Sequence, residues 1–151
     1  MKAPLILGTD LTNMSAATYA TITNKAAISV SKDPLAEQGV MRISSEWLPA
    51  SKHGGGVPSG HMVWSGALSK GGVAAALLNL NTAPQEITMT ELELPESRAT
   101  REGLGAAAGA GKWEIKEAFS GRVQCASCSL PQTVTVAPHD VALWVMAPAS
   151  A

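Results

Sequence analysis

The sequence predicts a mainly β fold: an antiparallel β-sandwich of the Greek-key type, preceded by one strand–helix unit that reads as left over from a parallel α/β barrel. Three observations carry this expectation. From Gly39 onward, short apolar or alternating stretches recur between Gly-, Pro- and Ser-rich breaks, the pattern of a sandwich. Ahead of them, Ala3-Pro4-Leu5-Ile6-Leu7-Gly8-Thr9-Asp10-Leu11-Thr12-Asn13-Met14-Ser15 reads as strand, turn and helix start, the local grammar of a parallel sheet. Between the two, Pro34 biases Asp33 away from helical backbone, which puts a boundary near residues 31 to 36. The expected division is residues 1–36, the last strand and helix of an incomplete barrel, and residues 37–151, the sandwich.

In the first part, Pro4 and Gly8 bound an apolar run suited to a buried strand, and Ser15 is placed to cap a helix over Ala16 to Ile22. Asn24 and Lys25 are expected to end that helix, with Ala26-Ala27-Ile28-Ser29-Val30 following as a short apolar segment. A lone parallel strand leaves both edges and both faces unsatisfied, so its neighbours must come from elsewhere.

In the second part, strands are expected at Val40–Ile43, Met62–Ser65, Val73–Leu80, Ile87–Leu92, Trp113–Phe119, Thr133–Val136 and Val141–Met146. Alternation is clearest where Ile87, Met89 and Glu91 oppose Thr88, Thr90 and Leu92, and where Val134 and Val136 oppose Thr133 and Thr135. Val73 to Leu80 is apolar almost throughout, which suits a central strand covered on both faces, an Ala-rich helix being the alternative. The glycine-rich stretches at 52–60 and 103–111 are expected to be loops. The second is one residue off a dinucleotide fingerprint and sits between strands of the wrong type, so it reads as a hairpin insertion.

Composition removes several functions. With 151 residues the chain is too short for a whole barrel of roughly 250. A net charge of −1 with 15% charged residues offers no basic footprint, so nucleic acid is not an expected partner. No apolar run approaches the roughly 20 residues that span a bilayer, so no membrane association is expected. Leu5-Ile6-Leu7 behind Met1-Lys2 is shorter than the apolar core of a signal peptide, so no export signal is expected in this segment. Cys125 and Cys128 cannot complete a four-ligand zinc site, and they read as a pair of loop cysteines, free or locally bridged. Neither a metal nor a cofactor is expected.

The opening segment, followed by Ile22-Thr23-Asn24-Lys25 and Asp33-Pro34-Leu35-Ala36-Glu37-Gln38-Gly39, resembles the end of the catalytic barrel in alpha-galactosidases of the melibiase type, glycoside hydrolase family 27. Val63-Trp64-Ser65-Gly66-Ala67-Leu68-Ser69 with Val73-Ala74-Ala75-Ala76-Leu77-Leu78-Asn79, and then Pro138-His139-Asp140-Val141-Ala142-Leu143, resemble strands of that family's C-terminal β-domain. The resemblance implies a retaining glycosidase that removes terminal alpha-linked galactose. Such an enzyme needs one carboxylate to attack the anomeric carbon and a second, about 5 to 5.5 Å away, to protonate the departing oxygen. In the family both aspartates lie on barrel strands earlier than the one that opens this chain, so no catalytic residue is expected here and the chain alone is expected to be inactive. The implied partners are an alpha-galactoside, held through the missing barrel, and the (β/α)7 remainder of a (β/α)8 barrel. Family members are commonly secreted, lysosomal or vacuolar.

Individual residues add little chemistry. Asp10, at the end of the would-be strand, reads as a turn or cap residue. His53, His61 and His139 show no nucleophile-elbow context. Trp64 and Trp144 lie in apolar strands and are expected in the core. Trp47, beside a polar loop, is the candidate for stacking on a sugar. Asn13-Met14-Ser15 satisfies a glycosylation sequon. The alternative to a glycosidase's C-terminal part is a non-catalytic β-sandwich module that binds carbohydrate or a partner chain.

Overall fold

The computed structural model describes residues 5–8, 10, 12–44, 60–95 and 111–149. Two short helices, α1 (Ala16–Ile22) and α2 (Lys25–Ser31), come first. The strands are β1 (Val40–Ser44), β2 (His61–Ala67), β3 (Val73–Asn79), β4 (Gln85–Met89), β5 (Trp113–Glu117), β6 (Val123–Cys128), β7 (Gln132–Val136) and β8 (Val141–Pro148). They form a six-stranded sheet ordered β1-β2-β3-β8-β5-β6 and a two-stranded sheet of β4 and β7. The described pairings are antiparallel. After β3 the chain crosses to the small sheet for β4, returns to the large sheet for β5 and β6, crosses again for β7, and comes back so that β8 lies between β3 and β5.

Alternation along the strands decides the core. Val63, Ala75, Leu77, Trp144, Met146, Trp113 and Ile115 point from the large sheet toward Ile87, Met89 and Val136 of the small one, and all are buried. On the far side of the small sheet, the Thr88 and Thr133 hydroxyls pair at 2.8 Å. Asn79 is buried among these apolar groups because its amide is satisfied. It donates to the carbonyls of Ala83 at 2.8 Å, Val136 at 3.0 Å and Ala137 at 3.0 Å, and its oxygen accepts from Asn81 N at 2.9 Å.

Two expected strands are shorter than the pattern suggests. The strand read at Ile87–Leu92 ends at Met89, because Thr90 and Glu93 form a capping box that turns the chain into the short 3-10 segment Glu91–Glu93 and leaves Leu92 exposed. The strand read at Trp113–Phe119 ends at Glu117, whose carboxylate accepts from the N–H of Phe119 at 3.1 Å and of Ser120 at 2.6 Å.

Cys125 and Cys128 are not in a loop; they lie on β6 and are joined by a disulfide with a Cα–Cα distance of 6.0 Å. Residues three apart on a regular strand face opposite sides. Here Trp113 pairs with Cys128 and Ile115 with Cys125, so β6 carries one extra residue between the two pairings. That bulge brings both cysteines, half-buried, onto the core side while Ala126 and Ser127 stay exposed.

The N-terminal part also differs from expectation. Leu5–Gly8 pairs with no described strand. Asn24 does not simply end the first helix: α1 closes on Thr23, and Asn24 caps α2 by accepting from Ala27 N at 2.9 Å. The apolar segment after it is therefore helical. Neither helix has a buried residue. Two polar anchors fasten them: Asn24 Nδ2 donates to the Ala118 carbonyl at 3.0 Å, and the Asp33 carboxylate accepts from Ser69 N at 2.9 Å and Ser69 Oγ at 2.7 Å. Asp33-Pro34 thus grips the turn between β2 and β3 as well as ending the helical segment.

Candidate functional site

Trp47, the sugar-stacking candidate, and His53 lie outside the described residues, as do all but the last residue of each glycine-rich stretch. Asp10 is exposed, and its carboxylate accepts from Thr12 N at 2.8 Å and Thr12 Oγ1 at 2.7 Å, closing a two-residue turn. Those bonds, the hydroxyl's first, hold its carboxyl below the ordinary value. His61 opens β2, and His139 sits exposed in a left-handed turn, φ 53°, just before β8. Among the described residues no group of three or more His, Cys, Asp or Glu is placed to hold a metal ion. Asn13 is exposed beside Ser15, whose Oγ caps α1 by accepting from Thr18 N at 3.0 Å.

The tryptophans divide. Trp113 and Trp144 are in the core, but Trp64 is 39% exposed, against the expectation that it is buried. Its strand is apolar on both sides, so composition could not say which side faces the small sheet. The register settles it: Val63 and Ser65 point inward and are buried, which turns Trp64 to the opposite face of the large sheet.

Two concavities flank the helices. A groove of about 670 Å³ runs between the end of α1, the β5–β6 turn and the start of β8, with Thr21, Glu117, Phe119, Thr135 and Asp140 on its walls. An aromatic ring beside carboxylates and hydroxyls is the usual vocabulary of sugar recognition, yet both carboxylates already have structural work. Burial pushes the Glu117 carboxyl up, but bonds from Ser120, Phe119 and the Leu143 backbone outweigh it and hold the group below its ordinary value. Asp140 Oδ1 accepts from Val141 N at 2.8 Å at the entry to β8. The second hollow, about 410 Å³, is apolar and lined by Leu5, Ile6, Leu7, Ile22, Ile28 and Phe119. Leu5, Ile6 and Leu7 are 67%, 84% and 53% exposed.

Among the described residues, then, the molecule is a β-sandwich carrying a short, polar-anchored helical segment and no assembled acid, base and nucleophile. Comparison with known proteins makes this specific. Residues 59–146 match the model of the alpha galactosidase C-terminal beta sandwich domain, and the chain belongs to that family. It is 32% identical to Alpha-galactosidase 3 of Arabidopsis thaliana over 150 residues, covering 89% of this chain and 30% of that protein. The chain therefore spans about a third of the length of such relatives. The fold is shared with the alpha-galactosidase of Saccharomyces cerevisiae, solved with raffinose, at a TM-score of 0.75 and 18% identity, covering 97% of this chain and 40% of that one. It is shared also with a β-L-arabinopyranosidase of Geobacillus stearothermophilus, at a TM-score of 0.62 and 14% identity, covering 93% of this chain and 26% of that one.

Proposed function

We propose that this chain is the C-terminal part of a retaining alpha-galactosidase, in which the sandwich braces a (β/α)8 barrel whose last unit is residues 1–36. The observation that carries the reading is Leu5-Ile6-Leu7: an apolar, exposed and unpaired run, placed ahead of two helices that are bonded to a sandwich of this family. Such a run is stable when flanked by parallel strands and covered on both faces, and costly when left in water. In this reading the two carboxylates that attack the anomeric carbon and protonate the leaving oxygen belong to the preceding barrel strands. The chain's own residues hold the barrel's last unit in place and supply no group to the reaction. The galactoside is bound and cleaved across the rest of the barrel.

The test is an assay of the purified chain on an alpha-galactoside. No turnover above a blank is expected; hydrolysis that persists after rigorous removal of host glycosidases would overturn the reading. The second reading, a sugar-binding module, is favoured by the groove beside Phe119. Titrating the chain with galactosides while following tryptophan fluorescence separates the two: a flat response is expected, and a saturable change weakened by Phe119→Ala would favour binding.

A further inference from the structure

The chain has four asparagines, and the fold uses three of them. Asn24 caps α2 and donates to the Ala118 carbonyl, Asn79 bridges the two sheets, and Asn81 Oδ1 accepts from Gly60 N at 2.7 Å. Asn13 is the exception: it is exposed, and its side chain has no bonded partner among the described residues. It is also the one followed two places later by a hydroxyl residue. Asn13-Met14-Ser15 completes a glycosylation sequon, whereas Ala26, Asn81 and Ala83 stand at that position after the other three. The sequon thus falls where a bulky, hydrated substituent displaces nothing.

A second observation supplies the compartment. Cys125 and Cys128 are the chain's two cysteines, and both are spent in one disulfide. Disulfides form and persist in the endoplasmic reticulum lumen and outside the cell, and are rare where glutathione keeps thiols reduced. The same lumen is where an asparagine meets a lipid-pyrophosphate oligosaccharide. Transfer makes one bond and breaks one: the Asn13 amide nitrogen attacks the anomeric carbon of the first sugar, the bond from that carbon to the pyrophosphate oxygen breaks, the lipid pyrophosphate leaves with the electron pair, and the amide gives up one proton. In the folded chain the sequon's hydroxyl is occupied, since Ser15 Oγ accepts from Thr18 N at 3.0 Å and pairs with Thr18 Oγ1 at 2.8 Å. A helix of seven residues without a fully buried residue is not held in the nascent chain, so that hydroxyl is open when transfer takes place.

We propose that Asn13 carries an N-linked glycan, placed at the rim of the barrel's substrate mouth. The placement rests on reading residues 1–36 as the barrel's last unit: the stretch from Asp10 to Ser15 is then the loop after the last strand, and such loops build the face that holds the active site. A glycan there crowds galactose carried on a polymer and leaves room for a small galactoside. The test expresses the chain behind a secretory leader in a eukaryotic host, and reads intact mass before and after peptide-N-glycosidase F on material retained in the pathway as well as secreted. A mass excess that the enzyme removes is expected, lost in Asn13→Gln and kept in Ser15→Thr, which preserves both sequon and cap. A disulfide-bonded chain from that pathway without the excess overturns the proposal, as does a removable excess that survives Asn13→Gln. The placement is read in a chimera in which this chain replaces the region it aligns with in Alpha-galactosidase 3 of Arabidopsis thaliana. There Asn13→Gln is expected to raise hydrolysis of a galactose-bearing polysaccharide, relative to a small aryl galactoside, about twofold or more. An unchanged ratio takes the glycan away from the mouth. A chimera inactive on both substrates sinks the reading of the chain as a barrel's C-terminal part, and the placement with it, while the mass alone decides the glycan.

Discussion

Asn79 shows how much of this fold hangs on single polar groups. It ends an apolar strand, yet its buried amide ties β3 to the end of β7 through the Val136 and Ala137 carbonyls, and so ties one sheet to the other. Removing it strands the buried Val136 carbonyl away from water and unpairs the half-buried groups beside it, at about 1 to 3 kcal/mol for a buried group. Asn79→Ala is therefore expected to cost about 2 to 4 kcal/mol, read as a lower urea midpoint with an unchanged slope; a cost below about 0.5 kcal/mol would show the bridge to be idle. Glu117 acts more gently. Its folded carboxyl sits below the ordinary 4.5, so its contribution is present above that value and lost as pH falls through the lowered folded value. Because the group is only half-buried and screened by solvent, Glu117→Gln should cost no more than about 1 kcal/mol at pH 7. The difference between the two proteins should vanish in melting curves taken well below pH 4.5, and a difference that grew with acid would contradict the assignment. Neither role is legible in sequence, since an Asn ending an apolar strand and a Glu in an alternating one look like any others.

At the scale of elements, the legible strands were those whose pattern the core enforces. Val73–Asn79 stands out because it is apolar on both sides, and Val134 and Val136 because they alternate with threonines. β6 escaped notice because it is an edge strand with exposed residues and a bulge that breaks the period of two. α2 escaped because Ile28 and Val30 are β-branched and the helix has only seven residues, too short for its periodicity to register. The same shortness makes a prediction. Isolated helices of this length are marginal in water, and neither α1 nor α2 has a fully buried residue. Amide exchange in the isolated chain should be fast across Ala16–Ser31 and slow across β3 and β8. Uniform protection would mean that the helices are stabilised by contacts other than the Asn24 and Asp33 anchors.

For the whole molecule, the sandwich is a complete core with an unfinished exterior. Its interior is filled by both sheets, while the outer face at Trp64 and the hollow at Leu5–Leu7 leave apolar surface in water. Exposed apolar surface of this kind marks an interface. The family and the sandwich were legible because their motifs are local runs of residues. The two sides of the large sheet were not, because its strands are small and apolar on both sides, and only the register shows which side meets the small sheet. The most direct measurement is hydrolysis of an alpha-galactoside by the Arabidopsis thaliana barrel deprived of the region this chain aligns with, alone and joined to this chain. The account predicts no activity from the truncated barrel and recovered hydrolysis from the joined protein. A joined protein that folds cooperatively yet hydrolyses no more than the truncated barrel would contradict it.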